Sequence, residues 1–575
     1  MPLLKTVDGG KLLSDADPRT VGPENCTRRL NIRREDDAEV LLPGWVSYGS
    51  LPAGCIYKFR AVRPNGDRAA LAFTSTAIYQ KNTTTGAWDL LKDGFTTTTR
   101  WEAVNLDGWV LFNNGIDLPH VWDWVNPVIP AYEMREQGIV RVGTMWTAWN
   151  FLFMAEVTEF GSAELVSWMN GSDPYGNVPD GTSGVTKTPY RVVWSDKPTE
   201  WGLSLAGTYV RGGGSTEIVL PFPCASLSAG DTINFTETEA DGDTVTVLLT
   251  EEEIDSISGN RLTMVNSVAD SSTGLLTRSN FAERIIGYDD LQGDGSTLLK
   301  GGTIGKLVYI VRESAIILGE ITDDANAPFF FQEVYRGSDQ TAPTAPSTRR
   351  LTTVVKDDSL IYYSKGGWYE FNLRSQRPQK LKVFDVNDSL LGGVNEDTSF
   401  FLDVTPEQEL WIFLSDRTLI FDYEAGILGE VDVVFESAAL VDDPNSNNRL
   451  LLLSSGADIF KFDDDTYTRD GETYEGVLEY GWNGDKGNMR DTIYRRYIPV
   501  GIEGDVYVSL SKAYSGKTEL TDVITEQSCT LGKSIQLYLR AQWMRDTITI
   551  KDGGVRLIGR EVDQYASENR VRGWH

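Results

Sequence analysis

Histidine is nearly missing from this 575-residue chain, which has only His120 and His575. A catalytic triad or an imidazole metal site inside the fold would have to be built on His120. That residue sits in Leu118-Pro119-His120-Val121-Trp122, a turn entering a strand, where a histidine ordinarily packs or is solvated. Cysteine is scarce too: Cys26, Cys55, Cys224 and Cys529 lie far apart and form no CxxC pair. This spacing speaks against a zinc site or a disulfide framework and for reduced thiols in a protein made in a cytoplasm. No apolar run approaches the roughly 18 residues of a membrane helix. Helix caps and helical periodicity are almost absent. Met1-Pro2-Leu3-Leu4-Lys5 opens no signal peptide, because Asp15 and Asp17 follow almost at once.

The patterns of common enzymes are lacking as well. Gly516-Lys517-Thr518 and Gly532-Lys533-Ser534 imitate a phosphate-binding loop, but Ser511 and Gln527 stand where the required earlier glycine belongs. Gly202-Leu203-Ser204-Leu205-Ala206 misses the last glycine of a nucleophile elbow. Asp463-Asp464-Asp465 has Thr468 in place of the sixth-position glycine of an EF-hand, and Asp289 to Asp294 fails the same test. Adventitious calcium is all that either acidic loop suggests. Thr83-Thr84-Thr85-Gly86-Ala87-Trp88 lacks the aspartate of a sialidase Asp-box. Trp88-Asp89 and Trp122-Asp123 follow no Gly-His dipeptide, so they are not WD40 signatures. The expectation is a protein that is not an enzyme, with no cofactor and no dedicated metal.

Positive charge is short: 53 Lys and Arg face 83 Asp and Glu, a net charge of −30. Such a surface repels phosphate and disfavours nucleic-acid binding by charge neutralisation. The acidity also keeps the protein soluble. Its distribution is uneven. Residues 466–575 carry 15 bases against 16 acids, a net of −1, which leaves −29 for residues 1–465.

What the chain does have is 55 glycines, 16 tryptophans and a succession of paired apolar segments. Leu71-Ala72-Phe73 leads to Ala77-Ile78-Tyr79. Gly108-Trp109-Val110-Leu111-Phe112 leads through Asn114-Gly115, a strong hairpin signal, to Val121-Trp122-Asp123. Asn150 to Met154 begins a third unit that reaches Arg191 to Ser195. The grammar resumes at Leu307 to Val311, Leu360 to Tyr363, Leu410 to Phe413 and Leu450 to Leu453, each with a partner strand after a polar turn. Seven units at a pitch of roughly 40–50 residues predict an all-β fold, a β-propeller of about seven blades. An array of unrelated β-sandwiches is the competing reading.

The propeller is expected over residues 1–205, with an N-terminal closing strand, and again over 286–465. Residues 206–285 interrupt it with three β-runs and a net charge of −8, from 12 acids and 4 bases, and read as a small inserted β-domain. Asp463 to Gly471 reads as a linker. Residues 466–575 then form a C-terminal β-domain.

Four segments carry a likeness to a known family. They are Asn31 with Glu39-Val40-Leu41-Leu42-Pro43-Gly44-Trp45, the hairpin from Asp358 to Tyr369, Glu409 to Leu414 with Leu419 to Asp422, and Val506 to Leu510 with Leu537 to Trp543. Over most of residues 31–560, apart from the insert, the chain resembles the tail hub, or packaged-DNA stabilisation protein, of short-tailed bacteriophages. The resemblance implies a structural virion protein of the tail nozzle, made in the host cytoplasm. It implies a cyclic oligomer, in all a hexamer, that contacts a head–tail adaptor and a fibre, spike or plug while genomic DNA passes transiently. An acidic lumen would let a duplex slide. The alternatives are a fibre adaptor or decoration protein of the virion, and a carbohydrate-binding or glycan-cleaving propeller.

The near-neutral C-terminal domain is the expected contact surface, since like-charged neighbours in a ring repel. Its candidate interface residues are Arg495, Arg496, Tyr538, Arg540, Trp543 and Arg545, with Tyr494 beside them, because interfaces favour arginine and aromatics. On this reading, deleting 466–575 leaves a soluble propeller.

Overall fold

Alternating apolar and polar residues fold back on themselves throughout the chain, because a strand with one apolar face is stable only beside others. The hairpin Ser359–Ser364 with Gly367–Asn372 is typical. Leu360 faces Phe371 and Tyr362 faces Tyr369 across it, and Leu360, Tyr362 and Phe371 are fully buried. In the turn after Trp109–Asn113, Gly115 takes the positive φ, +76°, that the Asn-Gly pair favours.

The computed structural model describes residues 3–8, 12, 14–15, 25–35, 38–196, 210–211, 215–220, 223–238, 245–268, 274–278, 286–291, 296–312, 315–322, 324, 328–337, 352–356, 358–364, 367–385, 387–391, 394–395, 398–443, 448–481, 483–484, 492–502, 504–513 and 521–566. Strands dominate them. The α-helices among them are short: Tyr132–Glu136, Ser162–Met169 and Lys382–Asp385. The protein is all-β.

Seven sets of four antiparallel strands follow one another. The first is Tyr57–Val62, Arg68–Phe73, Ile78–Lys81 and Trp88–Lys92. The second is Glu102–Leu106, Trp109–Asn113, His120–Trp122 and Ile129–Pro130. The third takes Ile139–Ala148, Phe151–Phe160, Val185–Ser195 and, after the insert, Ile286–Asp290. The fourth runs Leu298–Ile304, Leu307–Arg312, Ala315–Ile321 and Phe329–Arg336. The fifth runs Thr352–Val355, Ser359–Ser364, Gly367–Asn372 and Pro378–Lys380. The sixth runs Phe400–Val404, Glu409–Phe413, Thr418–Asp422 and Ile427–Val431 and continues into a larger sheet. The seventh combines Ser437–Asp442, Arg449–Ser455 and Asp458–Asp463 with Gly44–Ser50 from near the other end of the chain. The leading strand of each set lies beside the leading strand of the next, and Ser437–Asp442 of the seventh lies against Tyr57–Val62 of the first.

The insert is a six-stranded sheet in the order Val210–Arg211, Ser215–Val219, Arg261–Val268, Val245–Ser258, Thr232–Thr238, Gly274–Arg278. Ile218, Ile233, Ile254, Leu262 and Met264 form its core, and Met169 at the end of helix Ser162–Met169 packs into it. That helix carries no side-chain cap, so the cap pattern that marks a helix start in a sequence is missing.

The terminal β-domain departs from expectation in its membership. Thr492–Gly501 lies between Ile535–Ala541 and Leu557–Ala566, and Leu3–Asp8 and Ala38–Leu41 add to Leu557–Ala566. Gly476–Tyr480 joins Cys26–Leu30 to Trp543–Ile550, which is followed by Asp505–Ala513 and Thr521–Thr530. The two chain ends therefore share one core, with Cys26, Ile32 and Leu41 packed among Tyr480, Tyr494, Tyr497 and Ile548. Deleting 466–575 would expose Cys26, Ile32 and Leu41, whose core partners it removes. The stretch read as a linker also has structure. Thr468–Arg469 pairs with Glu472–Thr473 and lies beside Trp45, and a Cβ on Gly44 would collide with the Thr468 carbonyl.

Candidate functional site

The leading strands bring together polar residues that no motif marks. Between the first and second sets, Val62 N donates to Asn105 Oδ1 and Asn105 Nδ2 donates to Arg60 O, both at 3.0 Å. Between the second and third, Glu102 accepts from Thr144 Oγ1 at 2.9 Å and from Met145 N at 3.0 Å. Between the third and fourth the contact is apolar, with Gly301 so close to the Trp146 indole that a Cβ would collide. Between the fourth and fifth, Lys300 Nζ donates to Thr352 O at 2.5 Å. Between the seventh and first, Lys58 Nζ donates to Ser437 Oγ at 2.7 Å, Ser437 O at 2.9 Å and Ser454 Oγ at 2.9 Å. Arg60 Nε reaches Asp442 across the same seam.

Six of the seven sets contribute to the wall of one cavity of about 610 Å³. Its charged residues are Lys58, Arg60, Arg100, Lys300 and Glu102, four cations against one carboxylate. Glu102 is shared with Arg100 at 2.7 Å. Burial pushes Lys58 down to about 8 and Lys300 likewise to about 8, because a low-dielectric wall disfavours the ammonium. Sequence reasoning missed this group. The only trace was a charge at every second residue of Tyr57-Lys58-Phe59-Arg60, which places Lys58 and Arg60 on one side of the strand.

The candidate interface residues of the terminal domain fall on two sheets. Arg495 and Arg496 lie on Thr492–Gly501, and Arg540 lies on the adjacent Ile535–Ala541, opposite Ile493. Arg495 and Arg540 are exposed and Arg496 is half-buried. Tyr538 lies on the Ile535–Ala541 strand, and its side chain is outside the described residues. Trp543 and Arg545 belong to Trp543–Ile550 on the other sheet, and Arg545 pairs with Glu479 at 3.1 Å. Tyr494, expected beside them, is fully buried and belongs to the core. Under these strands lies a buried ion pair, Arg560 with Asp546 at 2.9 Å, with Tyr497 donating to Asp546 at 2.8 Å. Burial works against both charges and their attraction opposes it.

Glu136 is a second group the sequence did not reveal. Its carboxylate accepts from Tyr175 OH at 2.6 Å, Ala225 N at 3.0 Å and Ser226 N at 3.3 Å, and also from Ser226 Oγ and Cys224 Sγ. These bonds dock the insert onto helix Tyr132–Glu136. Burial raises the Glu136 carboxyl above its usual range, and the Ser226 and Tyr175 hydroxyls oppose the rise.

His120 lies with Nδ1 at 2.7 Å from Leu118 O and its ring 4.8 Å from Phe95. Burial lowers it to about 4, so the ring is neutral at pH 7. Asp290 in the second acidic loop binds Arg191 at 2.7 and 3.0 Å, and Asp463 caps its own turn through Asp465 N. Among the described residues, no three His, Cys, Asp or Glu side chains are grouped to hold a metal. Gly516 to Thr518 and Gly202 to Ala206 lie outside the described residues. Gly532 makes the turn between Thr521–Thr530 and Ile535–Ala541 at a φ of +79°.

No protein-family model matches the chain, and no curated protein matches it. Solved structures to which it is similar include one described as the mitotic checkpoint complex, at 10% identity and a TM-score of 0.33, covering 75% of this chain and 95% of that one. Another is the WD40 β-propeller domain of Doa1, at 8% identity and a TM-score of 0.34, covering 74% of this chain and 98% of that one. At this level of likeness no activity or partner is carried over.

Proposed function

We propose that the chain is a seven-bladed β-propeller serving as a structural subunit of a bacteriophage tail, part of the nozzle or hub at the DNA exit channel. The observation that carries the scaffold reading is the polar stitching of the leading strands. Asn105, Glu102, Lys300 and Lys58 each bond across to a neighbouring four-stranded set. Side chains committed in this way hold a frame rather than turn over a substrate. Pairing of Gly44–Ser50 with Asp458–Asp463 supports ring closure by an early strand. The virion assignment rests on the resemblance of Glu39 to Trp45, Asp358 to Tyr369 and Glu409 to Asp422 to phage tail hubs. On this reading the terminal β-domain meets a neighbouring subunit, the head–tail adaptor or a fibre, spike or plug, and the acidic exterior keeps passing DNA from sticking.

Mass photometry of the purified chain, alone and with the head–tail adaptor, tests the proposal. Closed multiples of the 63.9 kDa subunit are expected. A protein that stays monomeric under both conditions and is absent from purified tails would end it.

The carbohydrate-binding alternative has one observation in its favour. A cleft of about 480 Å³ is lined by Arg100, Arg141, Glu156, Asp180 and Lys187. Glu156 holds a left-handed φ of +57° at a bulge in its strand, and such outliers cluster at functional sites. A glycan array with Glu156→Gln as control distinguishes this reading.

A further inference from the structure

The cavity between the leading strands has donors that the scaffold leaves uncommitted. The Lys300 ammonium carries three N–H groups, and among the described residues it makes one hydrogen bond, to Thr352 O, and no ion pair. Arg60 commits Nε to Asp442, which leaves its two Nη groups. The Trp146 indole, 5% exposed and part of the same wall, has an Nε1–H with no acceptor among the described residues. Lys58 is saturated by Ser437 and Ser454 and contributes only its field. The rest of the wall is largely apolar, with Phe59, Trp101, Met145 and Phe401 in it.

We propose that this cavity binds a small organic anion, a phosphate or carboxylate joined to an apolar, ring-sized body, with Lys300 and Arg60 holding the anionic end. Its volume of about 610 Å³ lies in the range of small-molecule sites, which are mostly apolar with a few convergent polar groups. Asp442 offsets Arg60 and Glu102 offsets Arg100, which leaves Lys58 and Lys300 to make the wall positive inside a chain of net charge −30. A bound anion offsets that charge and gives the buried donors the acceptors that buried polar groups generally have. Burial lowers both lysines, because an ammonium taken out of water loses its hydration. The aromatic side chains explain why the ligand is more than a bare oxyanion: they offer ring faces to an apolar body. The inference does not rest on the tail-hub reading.

Isothermal titration of the full-length protein with phenyl phosphate tests it, with inorganic phosphate and phenol as separate titrants. Saturable 1:1 binding of phenyl phosphate is expected, with both partial probes weaker. Lys300→Met is expected to weaken it roughly tenfold or more, the usual loss for a hydrogen bond to a charged group, while Lys300→Arg stays within about threefold. Thermal melting shows whether Lys300→Met is folded, and Arg60→Gln supplies an independent loss of affinity if it is not. No heat at millimolar phenyl phosphate, or full affinity in both Lys300→Met and Arg60→Gln, overturns the proposal. Inorganic phosphate binding as tightly as phenyl phosphate overturns its apolar half.

Discussion

The ammonium of Lys58 lies 2.7 Å from the hydroxyl of Ser437, a residue 379 positions away. The bond joins the leading strand of the first four-stranded set to the leading strand of the seventh. Ser437 and Ser454 pass the connection on, each donating its hydroxyl proton to Cys55 O at 3.0 Å. The seam between the two ends of the succession thus holds a buried cation on neutral oxygens beside the Arg60–Asp442 pair.

That choice of partner has a pH signature. Burial lowers Lys58 from 10.5 to about 8. The charged form is disfavoured in the folded state, so its penalty is fully present below pH 8 and is relieved as pH rises toward 10.5. Over that window the unfolded chain binds more protons than the folded one, and stability rises with pH. Lys58→Met is expected to remove up to about 3 kcal/mol of that rise. Urea unfolding of both proteins at pH 8 and pH 10.5 measures it, and equal pH slopes would contradict it.

Glu136 governs the docking of the insert. Replacing its acceptor-only carboxylate by an amide, Glu136→Gln, puts an NH₂ group against Ala225 N, Ser226 N or the Ser226 hydroxyl. The expected cost is about 1–3 kcal/mol, confined to this contact. Hydrogen exchange is the measurement: amides over 224–231 lose protection while the strands of the first and seventh sets keep theirs. Unchanged exchange at 224–231 would show that the latch is not where the insert is held.

Much of the strand pattern is legible in the sequence because its causes are local. The alternation of Leu410 to Phe413 and Leu419 to Phe421, or the Asn114-Gly115 turn, is readable from a handful of neighbouring residues. The pairing of Cys26–Leu30 with Gly476–Tyr480 is not, because the partner lies some 450 residues away and any apolar strand satisfies the local pattern. The cavity is hidden for the same reason. Lys58, Glu102 and Lys300 belong to no motif and meet only once three separate sets are assembled. Of the candidate interface residues, sequence reasoning could not separate Tyr494, whose side chain faces the core, from Arg495 next to it, whose side chain faces solvent. Only the register of the sheet decides that.

The buried pair Arg560–Asp546 should behave as a unit. Asp546→Leu is expected to cost about 3–5 kcal/mol, since it leaves the guanidinium buried without its carboxylate. The double replacement Asp546→Leu with Arg560→Met is expected to cost less than the single one, because it removes both charges and retains apolar volume. Denaturant unfolding of the two singles and the double closes the cycle. Additive losses would show that the two side chains do not act together.

The outward face of the terminal domain is the last test. Truncation at 466 cannot provide it, because Cys26, Ile32 and Leu41 share that domain's core. Charge reversal can. Arg495 and Arg540 are exposed on neighbouring strands, so Arg495→Glu with Arg540→Glu leaves the buried core untouched, and thermal melting checks that the double variant is folded. Each reversal shifts the charge by −2, so the pair adds −4 to a subunit already at −30. If this face meets a like-charged neighbour, the added repulsion disfavours association. The double variant should then run as smaller species in mass photometry at a concentration where the natural chain associates. Raising the salt toward about 1 M, where the screening length falls to about 3 Å, should partly restore the larger ones. A double variant that associates like the natural chain at low salt would place the subunit contact elsewhere.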